Sequence, residues 1–314
     1  MSGIFTEKEL ENINNKIQTD RRCAMNNIWN TDGQFAIVTE NADVRLFPSK
    51  EARYTTDLRL DRNQQSKIVI GEAVVMDAKT DGDRWCHVIA KDCTGWVEGR
   101  YLATCSKGEA YRYVNSRQFI IIKQFMNFCG KNLMPGTKFP ISAETDNSYV
   151  ILIPIRVYGM FSVQESDIPK SDMIHPGYLE YNIENIQEIA DNMVGVSYSW
   201  GDYGDGIDCS KTIDLIYACV GLYLPRNTYN IRNIPFEKKE LSGLTAYEKK
   251  DIIAESTLGS LLMTKSHIML LYGKIENDVY IVHNTVYKYN SCVKVLVDNY
   301  CEEIDLVIDM TKLS

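Results

Sequence analysis

The sequence predicts an α+β protein with a helical N-terminal arm, two small β modules and a C-terminal α+β domain. Three observations predict it. Between Phe35 and Val97, apolar runs of a few residues alternate with turn residues, which is the texture of packed short strands. From Ile183 onward the apolar spacing changes to that of helices. Beyond Thr257, two apolar runs flank a turn, as in a hairpin. The chain has 314 residues, and single cores seldom grow past about 250 residues. Boundaries are expected at 1–33 for the arm, 34–106 and 107–170 for the β modules, and 171–314 for the last domain.

In the arm, Thr6 and Glu9 have the spacing of a capping box, and Leu10, Ile13 and Ile17 form an apolar stripe. The first β module contains Ala36-Ile-Val-Thr, Val44-Arg-Leu-Phe, Lys67-Ile-Val-Ile, Ala73-Val-Val-Met-Asp, Trp85-Cys-His-Val-Ile and Gly95-Trp-Val. That density of strands predicts a small barrel. The second module contains Gln118-Phe-Ile-Ile-Ile, the Met134-Pro-Gly turn, Tyr149-Val-Ile-Leu-Ile-Pro and Met160-Phe-Ser-Val. Ile183, Ile186, Ile189, Ala190 and Met193 then line one face of a helix. Gly201, Asp202, Gly204 and Asp205 make the next stretch a loop. After it, Ile213, Ile216, Tyr217 and Val220 mark a second helix, with Gly221 as its stop and Pro225 forbidding continuation.

Net charge is −8 with no lysine or arginine run, which disfavours nucleic acid and anionic membranes as partners. Nine cysteines without a Cys-x-x-Cys pair match neither a disulfide framework nor a zinc ribbon, so a reducing compartment and no metal or other cofactor are expected. The first ten residues lack an apolar signal core, and no apolar run approaches the roughly 20 residues of a membrane span. The expectation is cytoplasmic, with export only if a signal has been removed or another route is used.

Cys209 and Ser210 fall at the start of the second helix, where unpaired N–H groups favour a thiolate. A lone cysteine there more often only packs. Two of the four histidines, His267 and His283, lie in the last pair of strands. A hairpin folded about Ile275 sets them opposite each other, close enough for the imidazoles to hydrogen-bond. One residue of slip would separate them. In this arrangement Cys209 is the nucleophile, His267 the base, and His283 the group that orients it. Backbone N–H groups at the helix start, with Tyr198, would stabilise an oxyanion. His87 and His175 are read as structural.

Tyr198-x-Trp-Gly, Asp208-Cys-Ser, Leu224-Pro-Arg-Asn, Ser266-His-Ile-Met-Leu-Leu-Tyr-Gly and Val282-His occur in the order of the NlpC-type cell-wall cysteine peptidases, and the last 140 residues or so resemble that family. Upstream, Asp61-Arg-Asn-Gln, Gly71-Glu-x-Val, Asp81-Gly-Asp-Arg-Trp, Gly95-Trp-Val and Pro135-Gly-Thr-x-x-Pro resemble its branch with two bacterial SH3-like domains. The resemblance implies a papain-like catalytic domain behind two SH3-like barrels. It implies hydrolysis of the γ-D-glutamyl to meso-diaminopimelate or lysine bond in peptidoglycan stem peptides or muropeptides. It also implies that Tyr198, Ser210 and Asn227 line the substrate pocket, with Asp208 or Glu72 supplying negative charge for a free amine. Lys211 and Asp202 stand where the family usually has glycine. A lysine there would lower the thiol pKa or occlude the cleft. The alternatives are a Cys-His-His amidase or acyltransferase, and a muropeptide-binding protein with a decayed cysteine site. The intact Cys209, His267 and His283 argue against decay.

Overall fold

The computed structural model describes residues 4–314. The chain forms two compact units. The first comprises the described residues up to Ala24, Glu180–Ser199 and Asp205–Ser314. The second comprises Met25–Leu179 and Trp200–Gly204. Among the described residues no helix is long and apolar enough to cross a membrane, and all nine cysteines are free thiols.

The first unit begins with helix α1 (Glu7–Thr19). The expected capping box forms: the Thr6 hydroxyl accepts from the Glu9 N–H at 3.3 Å, and the Glu9 carboxylate accepts from the Thr6 N–H at 2.8 Å. Leu10, Ile13 and Ile17 are buried. Asn14 bonds both the Gly221 carbonyl (2.8 Å) and the Tyr223 N–H (3.0 Å), so α1 is tied to the chain just beyond the cysteine helix.

The second unit holds β1 (Gln34–Val38), β2 (Ala42–Arg45), β3 (Gln64–Ile68), β4 (Ala73–Lys79), β5 (Trp85–Ile89), β6 (Thr94–Glu98) and β7 (Leu102–Thr104). After α2 (Lys107–Val114) follow β8 (Phe119–Ile122), β9 (Met126–Phe128), β10 (Lys131–Leu133), β11 (Lys138–Glu144), β12 (Ser148–Val157), β13 (Met160–Pro169) and β14 (Ile174–Pro176). Ala36, Val38, Val44, Val74, Val88 and Val97 point into one core, as period-two alternation requires. The ladder runs β14-β8-β11-β12-β13-β7-β1-β4-β5-β6-β2-β3, with β9 and β10 as a separate hairpin. The groups β1–β7 and β8–β14 meet at one parallel pair, Met160 with Thr104. Where two small barrels are expected, the strands run in one ladder and the sheets are open and not closed barrels. Closure depends on strand tilt and stagger, which short runs interrupted by bulges at Val44/Arg45 and Met76/Ala78 do not encode. The edge strand β3 instead presents side chains to residues 200–204.

The rest of the first unit places α3 (Ile183–Met193), α4 (Cys209–Ala218), α5 (Thr228–Ile231) and α6 (Ala246–Glu255) with an antiparallel sheet. Its strands are β15 (Phe236–Glu240), β16 (Leu261–Met263), β17 (Ile268–Ile275), β18 (Asp278–Thr285), β19 (Ser291–Leu296) and β20 (Leu306–Leu313), in the order β15-β20-β16-β17-β18-β19. α4 is buried on every side, Lys211, Thr212 and Asp214 included, so its surroundings are wider than one apolar stripe implies. It stops at Ala218, before the expected Gly221, whose φ of +83° then turns the chain.

Candidate active site

The site is assembled from the start of α4, the start of β17 and the middle of β18. Asp208 caps α4, accepting from the Lys211 N–H at 2.9 Å. Cys209 thereby becomes the first helical residue and lies buried, while the Ile268 N–H and the Thr228 hydroxyl hydrogen-bond its sulfur. The thiol thus sits against the start of β17, next to His267. That residue is fixed by Thr264, whose hydroxyl accepts from its N–H at 3.1 Å and whose N–H donates to its carbonyl at 3.0 Å.

His267 Nε2 lies 2.7 Å from His283 Nδ1. The hairpin register differs from the expected one. The turn is Glu276-Asn277, Ile275 pairs with Asp278, and a bulge between Leu271 and Gly273 sets Leu270 opposite Val282. His283 therefore pairs with a position two residues along from His267. Side chains repeat every two residues, so both imidazoles keep the same face and meet diagonally. The His283 ring also packs edge to face with Tyr300 at 4.7 Å between centroids.

The electrostatics differ from a preformed ion pair. Burial, reinforced by the Asp208 carboxylate, pushes the Cys209 thiol up to about 12. Burial depresses His267 to about 4, and burial with the neighbouring His267 depresses His283 to about 3. All three shifts favour the uncharged form, opposing the pull towards a thiolate expected at the helix start. Desolvation outweighs the helix N-terminus here. Asp208 itself stays ionised. Burial opposes this, but Arg226 Nη2 at 2.7 Å, the Lys211 N–H and the Ser210 hydroxyl at 3.0 Å hold its carboxyl below the usual range. Arg226 also donates to Ser210 Oγ at 2.8 Å.

The remaining expected residues separate into near and far. Tyr198 bridges to Ile207, just before the nucleophile. Asn227 is exposed at the N-terminus of α5, where its side chain makes no capping bond. Glu72 lies in the other unit and pairs with Lys91 at 2.8 Å. Lys211 turns its ammonium to Asp214 at 2.9 Å, a buried pair within α4, which is a different role from either expected one. Asp202 has a φ of +67°, a conformation that glycine adopts freely and aspartate tolerates. His87 bonds Asp77 at 2.6 Å and His175 faces the Gly177 carbonyl at 3.1 Å.

Four residues acquire positions that composition and period do not flag: Arg226, Thr228, Thr264 and Asn284. Asn284 is buried and donates to the Ile207 carbonyl at 3.0 Å, tying the approach to Cys209 onto β18. Thr264, three residues before His267, carries the one local signal, that of a hydroxyl-closed turn.

A cysteine presented by a helix N-terminus to a histidine pair on an antiparallel sheet is the constellation of a thiol hydrolase. Residues 195–302 match the NlpC/P60 family model. A structure described as a novel NlpC/P60 endopeptidase from Photobacterium damselae subsp. piscicida is similar with a TM-score of 0.72 at 16% identity, covering 98% of this chain and 79% of that one. An NlpC/P60 family protein from Bacillus cereus ATCC 10987 is similar with a TM-score of 0.63 at 17% identity, covering 87% of this chain and 98% of that one. No curated protein matches the chain in sequence.

Proposed function

We propose that the chain is a cysteine endopeptidase that hydrolyses the γ-D-glutamyl bond to a diamino acid, meso-diaminopimelate or lysine, in peptidoglycan stem peptides. The observation that carries this reading is the 2.7 Å His267–His283 contact beside a buried cysteine at a helix N-terminus, within the stretch that matches the NlpC/P60 family model. The description of the Photobacterium relative as an endopeptidase supports it.

Cys209 and His267 rest neutral, so the thiol proton moves to His267 as the sulfur attacks the acyl carbon. His267 takes that proton on Nδ1. Its Nε2 therefore carries a hydrogen and donates to His283 Nδ1, which places the proton of His283 on its own Nε2. Backbone N–H groups at the start of α4, with Tyr198, stabilise the oxyanion. His267 then protonates the leaving amine, giving an acyl-enzyme and a free diamino acid. A water deprotonated by His267 attacks the thioester, and the sulfur leaves with the proton restored. A γ-linked D-glutamate keeps a free α-carboxylate, two methylenes and the α-carbon removed from the scissile carbonyl, and Tyr198, Ser210 and Asn227 are the side chains proposed to line the pocket that takes it. We read the two strand groups of the second unit as SH3-like modules, and the substrates as short muropeptides recycled inside the cell.

The test is incubation with L-Ala-γ-D-Glu-diaminopimelate and its N-acetylated analogue, read by mass spectrometry, with Cys209→Ala as control. Release of L-Ala-γ-D-Glu by the wild type alone is expected. Binding without cleavage, with Cys209 still alkylatable, would overturn the endopeptidase.

A further inference from the structure

The loop that delivers Cys209 is divided between the two units. Its base belongs to the first unit, where the Ile207 N–H donates to the Ser197 carbonyl at 3.0 Å and the Ser199 N–H to the Ile207 carbonyl at 3.1 Å. Its tip, Trp200–Gly204, belongs to the second unit and is gripped by β3 and its flanks. Gln64 is fully buried and donates through Nε2 to the Gly201 carbonyl at 2.8 Å and to the Ser66 carbonyl at 2.8 Å. Its Oε1 accepts from Arg45 at 2.9 Å. The Lys67 ammonium donates to the Gly204 carbonyl. The Arg62 guanidinium lies 4.5 Å from the Trp200 ring centre, and that of Arg45 lies 5.6 Å from Tyr203. The fit is close. A Cβ on Gly201, whose φ is +64°, would stand 2.7 Å from Gln64 Cγ and 2.8 Å from its carbonyl oxygen.

We infer that Gln64 and Lys67 are positioning residues for the nucleophile: by fixing the carbonyls of Gly201 and Gly204, they set the path along which residues 205–208 bring Cys209 to His267. The observations select these two because a buried amide and a buried ammonium, the latter also paired with Asp43 at 3.4 Å, each donate to a main-chain oxygen of a loop that is otherwise rich in glycine and aspartate. Such a loop has little conformational preference of its own. Four residues separate Gly204 from Cys209, and Asp208 must arrive in register to cap α4. A displaced tip is therefore transmitted to the sulfur. The inference rests on the thiol-hydrolase reading, but the grip itself is independent of any substrate.

The test compares Lys67→Met, Lys67→Arg, Gln64→Met and Gly201→Ala with the wild type in the full chain, after thermal unfolding has shown which variants fold. Kinetics on the tripeptide and hydrogen exchange of the amides of Ser199 and Ile207 are measured on each. Expected for Lys67→Met and Gly201→Ala is a kcat lower by about tenfold or more with KM within about twofold, because misplacement of a reacting group acts on the chemical step. Exchange at Ser199 and Ile207 rises by about tenfold while the β17 and β18 amides keep their protection, and Lys67→Arg restores both readouts. Gln64→Met follows the same pattern if it folds; if it does not, the Lys67 pair and Gly201→Ala decide. Folded variants with wild-type kcat and wild-type exchange at Ser199 and Ile207 would overturn the inference. A wild type that cleaves nothing removes the peptidase reading alone, and exchange at the loop then decides the grip.

Discussion

Burial of Cys209 and His283 and partial burial of His267 favour the uncharged form of each, and that fixes how the site responds to pH. A thiol held near 12 is about 10⁻⁵ ionised at pH 7, and each pH unit multiplies the thiolate by about ten. Alkylation of Cys209 by iodoacetamide, followed by peptide mapping with the exposed Cys129 as internal reference, is therefore expected to rise continuously between pH 6 and 10. A plateau from pH 5 to 8 would mean a preformed thiolate–imidazolium pair. Turnover is limited at the acid end by a different group. His267 must be neutral to accept the proton, and it is depressed to about 4. The acid limb of kcat/KM is accordingly expected below pH 5 instead of near the ordinary imidazole value of about 6.5. The nucleophile and both histidines are legible in the sequence, because a glycine- and aspartate-rich approach, a helix start and a hairpin are local patterns. Their protonation is not, because it depends on what covers them. Arg226, Thr228 and Asn284 are equally silent, since each acts across a separation that no spacing rule spans.

At the scale of elements, α4 and the β17–β18 hairpin organise the site in different ways. The hairpin tolerates error: a shift of two residues from the expected register leaves His267 and His283 on one face, whereas a shift of one would have parted them. The helix does not tolerate error, because charges are buried along it. Lys211 and Asp214 form an ion pair at 3% and 7% side-chain exposure. Lys211→Met is expected to cost about 3–5 kcal/mol by leaving Asp214 buried without that partner, while Lys211→Met with Asp214→Leu recovers most of the loss. Denaturant midpoints of the single and double variants measure this, and equal losses in both would show that the pair itself stabilises α4. From sequence, Lys211 is only a departure from glycine. Its partner one turn along the same helix becomes meaningful once the helix is seen to be enclosed all round.

For the whole molecule, the two units explain why the open sheets escape a sequence reading and why the arm matters. Strand number and order of appearance are local properties, but closure is a property of tilt and stagger summed over many strands. The arm belongs with the cysteine unit through its buried stripe and through Asn14, which satisfies one carbonyl and one N–H of the chain after α4. Asn14→Ala is expected to destabilise that unit by about 1–3 kcal/mol through two unpaired backbone groups. Differential hydrogen exchange at Tyr223 against the β1 and β4 amides tests this, with loss of protection at Tyr223 alone as the predicted result.

The unit that bears the nucleophile is closed by elements from far apart in the chain. α1 precedes every other helix and strand, and β20 follows them all yet lies inside the sheet, between β15 and β16. On a ribosome the intervening unit can fold while synthesis continues, but the cysteine unit must wait for β20 to emerge. Cys209, His267 and His283 therefore come together only after translation of the sheet is complete, and a nascent or truncated chain carries the thiol without the hydrolytic site.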